Sequence, residues 1–229
     1  FKFANGMSTA RVPKELFKED GHYLGRPADA TDVIISRRVN ISKQIPGFLN
    51  KEKTVLEIGC GNGATLFLLA KEFKQLDGIE VNEDHLKAFN QTKEKEGINN
   101  CSYSIKDVVN SKAEKQYDRV ISFEVIEHLE SHSGLNYYYD SLKKGGMLVI
   151  SVPNKWWIFE THGAKLPLLP WNRVPFFSWL PKFIHSKYAN ARIYKKREII
   201  ALLSEYGFKV EEAKYITAPM DVLPKGKFK

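Results

Sequence analysis

An α/β fold, with helices on both faces of a central and mostly parallel sheet, is predicted by three observations. Lys53–Ile58 has the β-branched and apolar content of an interior parallel strand. It runs through Gly59-Cys60-Gly61-Asn62-Gly63 into an apolar stretch that reads as a helix from Ala64 to about Phe73. Strand-like and helix-like segments then alternate as far as Asn154. An acid, Glu80, closes the second strand at about the 20-residue distance where dinucleotide-type folds hold a ribose diol.

The chain of 229 residues suits one α/β domain with a modest extra element. No apolar run reaches the ~20 residues needed to cross a bilayer, and no charged-then-apolar stretch of signal-peptide type opens the sequence. Phe1–Gly6 is set aside from fold reasoning. Two cysteines, Cys60 and Cys101, make no disulfide framework and no zinc pattern, so a reducing cytoplasmic location is expected. A net charge of +8 favours an anionic partner, be it nucleic acid, a membrane surface or an acidic substrate, and equally suits a protein kept soluble by its charge.

Taken in order, residues 1–50 form a helical cover, whose helix runs from about Thr31 to Ile41 and is ended by Pro46-Gly47. Residues 51–154 form the core. Leu76–Asn82 is strand two, and Glu80 is preferred to Asp77 as the diol acceptor because Asp77 precedes the apolar part. Asn82-Glu83-Asp84 starts a helix that lasts to about Lys95. Cys101–Val108 is strand three and Tyr117–Phe123 strand four. If a helix begins near Glu124, then Glu124, Glu127 and His128 share one face, able to hold a divalent metal or to serve as base and orienter. Acids in a first helical turn also favour the macrodipole by roughly 0.3–1 kcal/mol with no catalytic duty. Leu142–Asn154 gives a helix end, a Gly-Gly turn, strand five and a Pro-Asn exit. Tyr194–Gly207 is an amphipathic helix with a glycine stop, Phe208–Ile216 a strand, and Asp221–Lys229 at most a short one.

Glu57 inside the first strand makes the glycine turn read E-x-G-x-G-x-G, followed later by Glu-Val-Ile-Glu-His-Leu and by L-K-x-G-G…S-x-P-N. In these motifs residues 55–154 resemble the class I S-adenosylmethionine-dependent methyltransferases. The resemblance implies a Rossmann-like fold in which Gly59, Gly61 and Gly63 line the amino-acid end of S-adenosylmethionine, with Glu57 at the base. It places Glu80, beside Val81, at the ribose, Asp107 and the Val108 backbone at the adenine, and Glu124 near the cofactor. The E-x-x-E-H pattern is similar to that of metal-using ubiquinone-biosynthesis O-methyltransferases and of small-RNA 3′-terminal 2′-O-methyltransferases. It implies Glu124, Glu127 and His128 as ligands for Mg²⁺ or another divalent metal. His162 and His185 are the two candidates for the further metal histidine of the RNA enzymes.

Residues 155–190 differ from the core, holding all four tryptophans and Pro167, Pro170, Pro175 and Pro181. Leaving the carboxyl end of strand five, this segment is expected to form an aromatic lid over the ligand crevice. Trp and Tyr beside Lys182, Lys187 and Arg192 also suit a peripheral membrane contact. Within the lid, Glu160 and His162 are the polar pair, and His162 is a candidate base for a substrate hydroxyl. The resulting expectation is O-methylation of a small or lipid-like acceptor with Glu127, His128 and His162 as catalytic residues and S-adenosylhomocysteine as product. The alternatives are methylation of an RNA 3′ end, although no RNA-binding motif accompanies it, and a nicotinamide oxidoreductase or non-catalytic binder, because Gly59, Gly61 and Ala64 also fit the dinucleotide fingerprint. The oligomeric state is left open.

Overall fold

Strand β1 (Asn50–Ile58) lies at the centre of five parallel strands, with β2 (Phe73–Glu80) and β3 (Cys101–Ile105) on one side and β4 (Tyr117–Phe123) and β5 (Leu142–Ser151) on the other. The structure is a computed structural model and describes residues 33–160, 162–166 and 174–216. The chain steps outward from β1 to β3 and then crosses back to β4. A crevice therefore opens beyond the carboxyl ends of β1 and β4, the switch point at which open α/β sheets take ligands.

Neighbouring β1 residues serve opposite faces, as a period of two requires. Val55 packs with Leu76 and Ile121 into one core, closed by α1 (Val33–Lys43) through Ile35 and Val39, by α2 (Ala64–Leu69) through Leu66 and Leu69, and by α3 (Asp84–Lys95) through Phe89. Leu56 joins Ile58 and Val120 in a second core with Leu135 and Tyr138 of α4 (Leu135–Asp140) and Ile199 and Leu203 of α6 (Lys196–Glu205). Helices thus cover both faces, as the sequence predicts. One further helix, α5 (Lys182–Tyr188), belongs to the lid. Among the described residues no helix is long and apolar enough to cross a membrane.

Several boundaries differ from the sequence reading. The helix after β1 stops at Leu69, and a 3₁₀ turn, Ala70–Glu72, passes directly into β2 at Phe73 rather than at Leu76. Asn100 fixes that early start by donating to the carbonyls of Ala70 and Phe73 at 2.8 and 3.0 Å. Strand β3 ends at Ile105, so Asp107 and Val108 stand in the turn beyond it. No α-helix begins at Glu124. That residue takes a left-handed backbone, φ +58°, which an α-helix does not admit, and only a 3₁₀ turn, Ile126–His128, follows. Phe208–Ile216 is not a strand: Phe208 and Val210 pack on the second core, but their backbone joins no ladder. Alternation meets the packing requirement of a strand and leaves the hydrogen-bonding one unmet. Residues 1–32, Pro167, Pro170, Trp171 and the tail Asp221–Lys229 lie outside the described residues.

At the amino end of the sheet, buried Asp118 ties β1, β4 and β5 together. It accepts from the Thr54 amide and hydroxyl at 3.0 and 3.1 Å and pairs with Lys53 at 3.1 Å and Lys143 at 3.0 Å. Burial works against its charge, yet the Thr54 amide and the two ammonium groups outweigh it and hold the carboxyl well below the usual range. We expect Asp118→Ala to cost about 2–3 kcal/mol of stability, read as a lower urea midpoint. Because the folded pKa lies below the unfolded one, this contribution is complete above the unfolded value of about 3.9 and is lost only as pH falls through the folded one.

Candidate functional site

The crevice is built from the loops that leave β1 and β4. Gly59 and Gly61 both take left-handed backbones, at φ +73° and +51°. A Cβ on Gly59 would lie 2.3 Å from Val125 Cγ2, so only glycine lets the two loops touch. A Cβ on Gly61 would meet nothing within 4 Å, so this part of the loop faces open space. Glu80 holds the loop in place. One of its carboxylate oxygens accepts from the Gly61 amide at 2.9 Å, the other from the amides of Val81 and Asn82 at 2.7 and 3.1 Å.

Glu57 sits beneath the loop, 3% exposed, and its Oε2 has no hydrogen-bond partner. Burial, reinforced by the charge of Glu80 and only partly offset by the Thr65 hydroxyl, pushes its pKa up to about 8. An orphaned buried oxygen under an open glycine cradle fits a ligand that brings a hydrogen-bond donor or a positive charge. Further along the sheet, Asp107 accepts from the Val109 amide at 2.9 Å and from the Asn110 side chain at 3.0 Å, and Val108 is buried beside it. Cys60 and Cys101 are free and buried.

Across the crevice the left-handed Glu124 turns the chain so that its amide donates to the Ser151 carbonyl at 3.0 Å. Its carboxylate accepts from the Ser151 hydroxyl at 2.8 Å and pairs with Arg38 of α1 at 3.3 Å. The turn carries Glu127 into the interior, where neither carboxylate oxygen has a hydrogen-bond partner and His162 Nε2 lies 3.5 Å from Oε1. Burial, together with the charge of Glu124, raises Glu127 well above the usual carboxylate range. The rings of His128 and His162 meet edge to face at 4.7 Å.

Ligand atoms of Glu127, His128 and His162 therefore fall within 4.8 Å of one another. Glu124, grouped with Glu127 and His128 by the helical spacing, is outside that cluster, and His162 of the lid takes its place. Two imidazoles and a carboxylate are donors for a divalent transition metal more than for Mg²⁺, which prefers oxygen. His185 is not at the site: its Nε2 lies 2.7 Å from Glu160 Oε2 in the lid interior, with both residues buried. Glu160, paired with His162 in the sequence reading, also accepts from the His162 amide at 3.3 Å.

The sequence reading gave Arg38, Ser151 and Arg192 no role in the site. Arg192 donates from its backbone to the Glu127 carbonyl at 3.2 Å and from its guanidinium to the carbonyls of Leu129 and Glu130. All three act across long sequence separations, for which periodicity carries no signal.

Comparison with known proteins settles the family. A family described as "Methyltransferase domain" matches residues 35–213, most of the chain. The chain belongs to the class I S-adenosylmethionine-dependent methyltransferases. This removes the nicotinamide alternative, which rested on the same glycine loop. A probable (S)-tetrahydroprotoberberine N-methyltransferase 2 of Papaver bracteatum is 30% identical over 50% of this chain and 30% of its own length. A ubiquinone biosynthesis O-methyltransferase of Rickettsia canadensis is 26% identical over 70% of this chain and 64% of its own length. The match thus spans between 30% and 64% of these relatives' own length. Among solved structures, an S-adenosylmethionine-dependent methyltransferase from Clostridium acetobutylicum shares the fold, with a TM-score of 0.58 and 13% identity over 80% of this chain and 83% of that one.

In this chain the Glu57 carboxyl ionises near 4.3 when unfolded but in the fold only near 8. Its contribution to stability is therefore complete below the unfolded value and is lost as pH rises through about 8. Glu57→Gln keeps the shape and removes the ionisation. It should flatten the fall in melting temperature between weakly acidic and weakly alkaline pH, and raise stability at the alkaline end by about 1–3 kcal/mol. Thermal melts across that pH range check this.

Proposed function

We propose that the chain transfers a methyl group from S-adenosylmethionine to an oxygen of a small or lipid-like acceptor. The observation that carries this reading is the convergence of Glu127, His128 and His162 beneath the surface beside the crevice, Glu127 lying two residues beyond the Val125 contact with the glycine loop. When bound, S-adenosylmethionine supplies a methyl group already activated on a sulfonium. Glu57, Gly59, Gly61 and Gly63 are proposed to hold its amino-acid end, Glu80 and Val81 the ribose, Asp107 and Val108 the adenine. Glu124 is proposed to border the cofactor and, through Arg38, to fix α1 over it. Alignment of acceptor and methyl by such contacts contributes roughly 7–11 kcal/mol of barrier lowering.

A hydroxyl acceptor must also lose its proton. The His128–His162 pair is proposed to take that proton, and buried Glu127, whose proton affinity is raised, to hold it. The Rickettsia relative, named for O-methylation, supports oxygen as the acceptor atom. The donor set favours a second reading, in which Glu127, His128 and His162 hold a divalent transition metal that lowers the pKa of the acceptor hydroxyl.

Calorimetric titration with S-adenosylhomocysteine tests the first step. We expect micromolar binding, weakened at least about 20-fold in Glu80→Ala by loss of the loop's anchor. Absence of binding overturns the proposal. With hydroxylated acceptors, Glu127→Gln and His162→Asn should each lower turnover by about 10²-fold and leave cofactor affinity within a factor of about three. Turnover should rise with pH through the raised Glu127 value, since the proton-accepting form is the ionised one. Loss of turnover on chelation, restored by Zn²⁺ or Mn²⁺, would favour the metal reading; indifference to chelation would leave proton transfer alone.

A further inference from the structure

The outer surface of the lid combines two features that the methyl-transfer site does not use. The first is an exposed aromatic patch. Trp156 and Trp179 meet nearly edge-on at 6.5 Å and Phe176 and Trp179 at 4.9 Å, while Leu180 and Phe183 continue the apolar surface. Trp156 is 52% exposed and Phe183 76%. The second feature is charge. Residues 155–197 contain nine lysines and arginines against one acid, Glu160, which is buried against His185. A cavity of about 330 Å³ beside Trp179 is lined by Lys155, Lys182 and Lys195, with Glu198 as its acid.

The patch is not surface left open by a poorly packed segment, because its inner side is tied down. Lys155 Nζ donates to the carbonyls of Ser178 and Leu180 at 3.0 and 2.7 Å. The Ser178 hydroxyl and the Trp179 indole both donate to the Trp157 carbonyl, at 2.6 and 3.2 Å. The Glu160–His185 bond closes the interior. The backbone that carries Trp179 and Leu180 is thus held by polar contacts on its inner side, and the apolar area left exposed has an unfavourable cost that a partner would relieve.

We infer that this face docks on an anionic phospholipid bilayer, with Phe183, Trp156 and Trp179 entering the interface and the lysine-lined cavity taking a lipid phosphate. Indole and phenyl groups beside ammonium groups are the composition of a bilayer interface, and the one-sided charge is complementary to acidic headgroups. Base stacking on RNA fits less well. The Trp156 face is taken by Lys155 and Lys195, 5.9 and 5.4 Å from its ring, and Phe176 and Trp179 are packed edge to face rather than splayed. The docking does not depend on which acceptor is methylated.

Sedimentation of the 229-residue chain with vesicles tests it, comparing phosphatidylcholine alone with a mixture containing about one third phosphatidylglycerol. We expect binding at least tenfold tighter to the anionic vesicles, with tryptophan fluorescence quenched by brominated lipid. Phe183→Asp changes a side chain 76% exposed and should weaken binding at least tenfold at an unchanged thermal melt; Lys182→Glu, which also gives up the 3.6 Å ion pair with Glu198, should weaken it at least tenfold. Failure to bind anionic vesicles overturns the inference, as does binding that Phe183→Asp leaves unaltered. So does a dimer that Phe183→Asp dissociates without any lipid binding, or binding of poly(U) RNA that anionic vesicles cannot displace.

Discussion

Gly59 and Val125 touch across the crevice at a distance that no side chain on residue 59 would permit, and the rest of the site follows from that closeness. The loops leaving β1 and β4 are brought together at the switch point of the sheet, where the ladder ends and backbone groups become available to ligands. On one side Glu80 pins the Gly61 amide. On the other, the left-handed Glu124 reverses the chain onto Ser151 and sends Glu127 inward. A non-glycine residue in that conformation carries strain that persists only where the surroundings over-determine it. Here the Ser151 contacts and Arg38 do so.

Four buried carboxylates show how environment divides one chemistry into several uses. Asp118 is surrounded by donors and stays ionised, as a tie between strands. Glu160 is satisfied by one imidazole and one amide and fastens the lid. Glu57 and Glu127 are buried with oxygens left unpaired, and both are pushed toward the neutral form. Unpaired buried oxygens cost stability, which is why folded proteins keep few of them. The carboxylates that keep such oxygens among the described residues, Glu57 and Glu127, border the same crevice, one below the glycine loop and one opposite it.

The lid has two sides with different physics. Its inside, among the described residues, is tied by polar contacts of Lys155, Ser178, Glu160 and His185, and it delivers His162 to Glu127. Its outside is aromatic and basic. Proline stiffening explains how so short a segment keeps these surfaces apart: Pro181 ends the 3₁₀ turn Phe177–Trp179 and leads into α5, so Trp179 and Phe183 stay exposed while His185 turns inward.

By itself the sequence determined the order of strands and helices in the core, the glycine turn and the acid closing β2, because each is written in local periodicity or in a residue type with a fixed conformational meaning. It also put Glu127, His128 and His162 forward, though it grouped the first two with Glu124 on a helix that does not exist. Whether Glu124 starts a helix, whether Phe208–Ile216 joins the sheet and which partner Glu160 takes were decided by contacts between distant parts of the chain. Arg38 lies far from Glu124 in sequence, as His162 does from Glu127, and no local pattern encodes such pairs. They form only once the sheet order has fixed which loops share the crevice, and that order is set by burial of both sheet faces at once.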